Sequence, residues 1–176
     1  MPKIKISAAL GAAMTIAMTC PAPARAQVSM SGYVLPMNLA LEGALEAERA
    51  CSAQGYRVTV TVVDVAGTPQ IVLRGDHATI HTKDSAYRKA YTAVTMGPIF
   101  HLDRTSQFLE LLGKYPSLAA QSLASTPNVT TLPGGMAVKR GDEIVAGIGV
   151  GGSPGGDKDE VCAQAGVAKI VEKLQY

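Results

Sequence analysis

The sequence has few of the residues from which nucleic-acid interfaces are usually built. It contains no tryptophan, only two phenylalanines and six tyrosines in 176 residues, and no run of lysine or arginine. Single-stranded nucleic acids are bound by aromatic stacking platforms in positively charged grooves, and duplexes by basic patches. The sequence therefore does not indicate a nucleic-acid partner.

Cysteine and histidine are equally scarce, which limits the metal sites that the chain can build. There are three histidines, His77, His81 and His101, and three cysteines, of which only Cys51 and Cys162 lie beyond the first 26 residues. A structural zinc centre needs four such ligands close together. The sequence therefore does not predict a dedicated zinc centre.

Long hydrophobic runs are absent, apart from a short one near the N-terminus. Two lysines precede the apolar segment 6–18, and Ala24-Arg25-Ala26 has the small-x-small pattern of a cleavage site. The apolar segment is too short and too rich in alanine for a membrane anchor. We predict that residues 1–26 are a signal peptide, that the mature chain begins at Gln27, and that it is periplasmic or secreted without a stable membrane span.

Removal of this segment would leave 150 residues and lower the formal charge from +2 to −1. That length suits one domain, predicted at 36–176 after a flexible lead-in at 27–35. An oxidising compartment would allow a disulfide between Cys51 and Cys162, which fall on predicted helices near the two ends of the mature chain. Two buried free thiols are the alternative, and both interpretations stay open.

Hydrophobic periodicity predicts helices and two hairpins, which indicates an α+β domain with an antiparallel sheet and helices packed on it. Gly97-Pro98 is expected to end the second helix. Asp157 is expected to cap the last helix, with Glu160 completing a capping box. The predicted helices are 36–54, 82–96, 105–113, 117–124 and a last one from 157, and the predicted strands are 57–65, 70–74, 136–140 and 144–150, with 127–132 a loop or short strand.

The glycine-rich stretch after residue 146 matches two catalytic or nucleotide-binding motifs in spacing only. Gly147-x-Gly149-x-x-Gly152 has the dinucleotide-binding pattern, but too little chain follows for the returning strand. Ser153 stands in a Gly-x-Ser-x-Gly sequence, but Pro154 lacks the backbone N–H of an oxyanion hole and no histidine follows. We expect these glycines to let a strand end pass close to another backbone or a ligand.

His77 and His81 lie four residues apart, just before the second helix, so they could share a metal ion. His81 directly precedes Thr82, the expected N-cap, and the positive helix terminus would disfavour its protonated form. A neutral imidazole is what iron requires as a ligand. The alternative is a solvent-exposed or capping histidine, while His101 is interpreted as a helix-entry residue.

Six segments occur in the order found in a known family, and the resemblance as a whole spans about residues 37–174. The segments are Val62-Val63-Asp64-x-x-Gly67, Arg74-x-Asp76-x-Ala78, Ser85-Ala86-x-x-Lys89-Ala90-x-Thr92-Ala93, Leu132-Pro133-Gly134-Gly135, Ile144 to Val150 with Gly152, and Asp159-x-x-Cys162-Ala163. The whole resembles the GlcG/HbpS-like haem-binding family, also called haem-degrading domains.

The resemblance implies a profilin-like fold with a five-stranded antiparallel sheet flanked by helices, homo-oligomers, and haem or iron as cofactor. His81 is the expected axial ligand. His77, which stands where the family usually has glycine, is a further candidate. Arg74 and Lys89 are candidates to pair with haem propionates; the alternative for both is a structural ion pair with Asp64, Asp76 or Asp84.

Three functional hypotheses follow. The first is an exported haem-binding protein, for storage or redox sensing, rather than a turnover enzyme. The second is an enzyme or accessory acting on a small organic acid or on haem, with Asp64, Arg74, His81 and Lys89 around a pocket and the 151–156 turn as an anion cradle. The third is a scaffold without a ligand.

Overall fold

A computed structural model describes residues 32–174. The predicted signal peptide and most of the predicted lead-in lie outside the described residues. The elements are α1 (Met37–Ser52), β1 (Thr59–Asp64), β2 (Pro69–Arg74), α2 (Thr82–Phe100), α3 (Thr105–Leu112), α4 (Ser117–Ala124), β3 (Gly135–Arg140), β4 (Glu143–Gly151), α5 (Gly156–Val171) and a 3₁₀ turn (Glu172–Leu174).

The sheet has the strand order β2-β1-β4-β3, and all its pairs are antiparallel. The α+β class is confirmed, but the number of strands was wrong: residues 32–174 form four strands, not five. The segment 127–132 is not a strand, because side chains of α2 satisfy its backbone. Arg88 donates to the Val129 carbonyl at 2.6 Å, and the Thr130 N–H donates to the Thr92 hydroxyl at 2.9 Å.

The two faces of the sheet carry different residues because different helices cover them. One face is apolar and β-branched and packs against α1 and α5; it includes Val60, Val62, Val138, Ile148 and Val150. The other face is covered by α2 and carries glycine and threonine along the central strands. No helix within residues 32–174 is long and apolar enough to cross a membrane.

α2 crosses β4 so closely that only glycine fits beneath it. A β-carbon at Gly149 would lie 2.5 Å from the Ala90 nitrogen and against the Ala86 carbonyl oxygen. One at Gly147 would lie 2.7 Å from the Ala90 oxygen. Two glycines of the dinucleotide-like pattern therefore serve close packing of a helix on a strand, as one of the two sequence-based interpretations expected.

On the opposite face, α1 and α5 also pack through glycine. A β-carbon at Gly166 would lie 2.5 Å from the Gly43 carbonyl oxygen. The same two helices are also joined by a disulfide between Cys51 and Cys162, with a Cα–Cα distance of 5.5 Å. Both cysteines are fully buried. The bond links the first and last long helices of the domain.

The predicted end of the second helix at Gly97-Pro98 was wrong. α2 continues through Pro98 to Phe100 and ends at His101, whose backbone is left-handed with φ 55°. A proline removes one backbone hydrogen bond and crowds the preceding turn. The helix nevertheless continues for two residues after Pro98, and the His101 N–H donates to the Gly97 carbonyl where it ends.

Replacement of Gly149 by alanine is expected to destabilise the domain by about 1–3 kcal/mol, because the new methyl group overlaps the backbone of α2. Urea denaturation would measure this change. Gly113→Ala is the matched control, since its β-carbon would make only ordinary contacts at 3.4 Å or more and its φ is −62°; we expect a change within about 0.5 kcal/mol. Equal stability of both variants would contradict the close-packing account.

Candidate functional site

The strand register brings Thr59, Arg74 and Gly151 together at one end of the sheet. Thr59 pairs with Arg74 on one side and with Gly151 on the other. α2 begins over the same end, because the Thr59 and Thr82 hydroxyls lie 2.7 Å apart in a buried hydrogen bond. Loop 75–81, which carries two histidines, connects Arg74 to α2. We call Thr59, Arg74, Gly151 and this loop the polar end of the sheet.

Both histidines of the loop are exposed. His77 has a left-handed backbone with φ 62°, a conformation in which glycine is usual and histidine uncommon. His81, not Thr82, is the N-cap residue of α2, and its side chain makes no capping hydrogen bond. Its carbonyl accepts from the Ser85 N–H at 3.1 Å, so its backbone is anchored while its imidazole faces outward.

Thr82 is the first helical residue, and its side chain is turned inward. Its hydroxyl donates to the Thr79 carbonyl at 2.6 Å and meets Thr59 beneath. The predicted cap was therefore shifted by one residue. The physical reason is that the Thr82 hydroxyl is used to attach the start of α2 to β1, which leaves His81 as the boundary residue.

Arg74 is used to fold the histidine loop. Its guanidinium donates to the Ala78 carbonyl through Nε, at 2.7 Å, and through Nη2. The Gly75 N–H donates to the Val58 carbonyl at 2.9 Å, which fixes the beginning of the same loop. The hydrogen-bond partner of Arg74 is thus a backbone carbonyl rather than the expected carboxylates of Asp64, Asp76 or Asp84.

Lys89 lies two turns into α2 and is buried, with 3% of its side chain exposed. Its ammonium donates to Asp159 Oδ2 at 2.6 Å, and Asp159 is equally buried. Lys89 therefore forms a structural ion pair, but with a different carboxylate from the ones expected. α5 brings Asp159 to this position from 70 residues away. A haem propionate would have to displace Asp159 in order to reach Lys89, so Lys89 is not a candidate haem contact.

Asp64 lies at the other end of β1 from Arg74. Asp64 is five positions along β1 from Thr59, the partner of Arg74. This separation is roughly 16 Å along a strand. Its carboxylate accepts from the Ala66 and Thr68 N–H groups of its own turn, each at 2.9 Å. The four residues of the predicted enzyme pocket are therefore not brought together.

The glycine-rich turn, residues 152–155, is likewise closed to an external anion. Asp159 Oδ1 accepts from the Ser153 N–H at 3.0 Å and from the Ser153 hydroxyl at 2.6 Å. Asp157 and Asp159 both stand in the first turn of α5. An anion at a helix N-terminus is favoured by free N–H groups and positive potential, and here the protein's own carboxylates already provide the negative charge.

The N-cap of α5 is Gly155, with φ 147°, so the predicted capping box of Asp157 and Glu160 was wrong. Glu160 instead accepts from Ser106, through its N–H at 3.0 Å and its hydroxyl at 2.7 Å, and lies 3.4 Å from the Gly134 nitrogen. It thereby caps α3 from another helix. Sequence reasoning missed this role, because acidic residues near a helix start suit the helix dipole without any distant partner.

Within residues 32–174 no three side chains of histidine, cysteine, aspartate or glutamate are grouped so that they could hold a metal ion. His77 and His81 therefore have no third protein ligand of these types among the described residues. A metal at the polar end would need most of its ligands from elsewhere.

Comparison with known proteins identifies the family. The model of the family described as "Haem degrading protein HbpS-like" matches residues 35–168. The chain belongs to this family. The match includes the histidine loop, α2, the glycine-rich turn and Asp159. No protein of curated function matches the chain.

Solved structures agree with the family model. A double mutant of Streptomyces reticuli HbpS is 37% identical, with a TM-score of 0.70 over 85% of this chain and 96% of that one. The structure named as a PduOC haem complex is 26% identical, with a TM-score of 0.68 over 78% of this chain and 96% of that one. The Klebsiella pneumoniae protein ORFY, at 21% identity and a TM-score of 0.68 over 80% and 92%, supports the fold.

Replacement of Glu160 by alanine is expected to destabilise the domain by about 1–2 kcal/mol, because the first turn of α3 loses its acceptor. Thermal or urea unfolding would measure the loss. Glu110→Ala on the exposed side of α3 is the matched control and should change stability by less than about 0.5 kcal/mol. Indistinguishable variants would show that the contact between α5 and α3 contributes little.

Proposed function

We propose that this protein binds haem at the polar end of the sheet, with His81 as the axial ligand of the iron. The family supports this function, and so does the fold shared with the PduOC haem complex. The observation that carries the assignment to this end is the exposed imidazole of His81 at the first turn of a well-anchored helix.

The donor set fits haem better than it fits a bare metal ion. Haem iron brings four porphyrin nitrogens and takes only one or two axial ligands from the protein. One outward imidazole is therefore sufficient, whereas a protein-only centre would require a group of ligands that residues 32–174 do not contain. When bound, haem would supply the iron redox chemistry, and this chain would supply the ligand and the surface that holds the ring.

Apolar and basic groups on the histidine loop and on β2 suit the two parts of a porphyrin. Ile80 is 71% exposed and Val72 is 50% exposed, and such uncovered side chains offer contact area to an apolar ring. Arg74 uses only Nε and Nη2 on Ala78, so its other N–H groups are available to a propionate. His77, on the same loop, is the second candidate ligand.

The same proposal includes export and self-association, for haem or iron storage or for redox sensing outside the cytoplasm. The N-terminal pattern supports export. An exposed apolar stripe on α1, formed by Met37, Leu41 and Leu45 at helical spacing, supports a homo-oligomer.

Expression of the full chain in a bacterium with an export pathway would test both points. The intact mass should correspond to residues 27–176 less two hydrogens, for the bond between Cys51 and Cys162. The native mass should be a multiple of one chain. An unprocessed N-terminus, free thiols or a monomer would each contradict the corresponding part.

Haem titration of the purified protein is the central experiment. The wild type should give a saturable Soret shift, and His81→Ala should bind at least about tenfold more weakly, a change of about 1.4 kcal/mol. His77→Gly removes the second imidazole without straining the left-handed backbone and should have the smaller effect.

His101→Asn is the control for both variants. His101 ends α2, about 30 Å along the helix from His81, and asparagine tolerates its left-handed backbone. It should bind as the wild type does. An unchanged shift in His81→Ala would refute the ligand assignment, and a wild type no better than serum albumin as a nonspecific control would refute haem binding itself.

A further inference from the structure

The carboxylate of Asp159 holds two separate elements with its two oxygens. Oδ2 accepts from the Lys89 ammonium at 2.6 Å, and Oδ1 accepts from the N–H and hydroxyl of Ser153. The Lys89 and Asp159 side chains are each 3% exposed. One buried group on α5 therefore ties α2 to the glycine-rich turn.

Stability alone does not account for charges at this position. Burial of an ion pair costs desolvation of both partners, and apolar replacement of such a pair is often neutral or stabilising. An apolar pair would fill the same space. It would not hold the Ser153 backbone, because only a hydrogen-bond acceptor can receive that N–H group. The distinctive contribution of Asp159 is therefore where it places the turn.

The turn that Asp159 holds is wedged against the polar end of the sheet. Gly152 has φ 136°, and a β-carbon there would lie 2.9 Å from the Val58 Cα. Directly before the turn, at Gly151 in β4, a β-carbon would lie 3.0 Å from the Ser85 hydroxyl and the Ala86 nitrogen near the start of α2. A displaced turn would consequently press on the residues that follow His81.

The lysine partner acts on the same helix. Lys89 is seven residues after Thr82, so α2 is fixed to β1 at its first residue and to α5 two turns later. Gly134 lies directly over the pair, since a β-carbon there would be 2.8 Å from Lys89 Nζ and from Asp159 Cβ. Two points of attachment fix the axial position of α2 and hence of His81.

We propose that Asp159, held by Lys89, is a positioning residue for the haem site: it fixes the glycine-rich turn against the start of α2 and thereby places His81 for ligation. The inference rests on the proposed haem binding and requires no contact between Asp159 and haem. Its effect is transmitted through Ser153 and α2.

The test compares two double variants that each remove an ion pair. Lys89→Met/Asp159→Leu removes the buried pair, and Lys139→Met/Asp103→Leu removes an exposed pair of 3.1 Å on the surface. Urea denaturation first establishes folding. We expect the buried-pair variant to remain folded with a lowered urea midpoint, because apolar replacement offsets the lost ion pair but leaves the Ser153 N–H and hydroxyl without their acceptor; its haem dissociation constant should rise at least tenfold and its Soret maximum should shift. The surface variant should match the wild type in all three.

Wild-type haem affinity and Soret position in a folded buried-pair variant would overturn the proposal, since the pair would then be structural only. Should that variant not fold, Ser153→Ala replaces it, because it removes the 2.6 Å hydroxyl contact and leaves the ion pair in place. It should weaken haem binding several-fold, and unchanged binding would again overturn the proposal.

Amide hydrogen exchange separates failure of this inference from failure of haem binding. The Ser153 N–H donates to Asp159 and should exchange at least tenfold faster in the buried-pair variant than in the wild type, without any ligand. If the wild type binds no haem, the proposed function fails, and this difference alone supports the positioning of the turn. Equal exchange rates would overturn it.

Discussion

The close approach of α2 to the sheet is the constraint on which the other features depend. Where α2 crosses β4, the helix backbone occupies the space of a β-carbon, so residues 147 and 149 are glycine. Gly135 on β3 meets the Lys89 carbonyl in the same way. A helix held at this distance cannot rotate or slide by a residue without a backbone clash, because packed interiors leave little free volume.

The position of Lys89 follows from this approach. With α2 lying directly on glycines, a long side chain at 89 has no route to solvent past β3, and 97% of it is covered. Burial of an unpaired ammonium is highly unfavourable, so a carboxylate must reach it. α5 provides Asp159 at 2.6 Å, and the neighbouring Glu160 attaches α3 and approaches loop 132–135. Asp159 and Glu160 thus hold α2, α3 and loop 132–135 in place.

Much of this arrangement could be predicted from sequence, because it depends on local patterns. β-branched runs located the strands of the two hairpins, helical spacing located α1 and most of α2, and the glycine pattern indicated close backbone approach. The α+β class followed from the antiparallel neighbours.

The missed carboxylate contacts share one physical origin, since each depends on a partner far away in the chain. Lys89 and Asp159 are 70 residues apart, and Glu160 and Ser106 are 54 apart. No local pattern shows which carboxylate a buried lysine meets. The fifth strand, which residues 32–174 do not contain, was mispredicted for a related reason. The backbone of 127–132 bonds to Arg88 and Thr92 of α2 rather than to a neighbouring strand.

In the proposed haem site, the histidine loop would hold an iron porphyrin with few functional groups. Haem supplies four of the iron ligands itself, so the protein needs one imidazole in a defined position rather than a cluster. Here Thr59 and Thr82 anchor the start of α2, Arg74 closes the loop, and the His81 side chain is left outward. Under the proposed function, a chain with three histidines would define its haem site through rigid packing rather than through the number of its ligands.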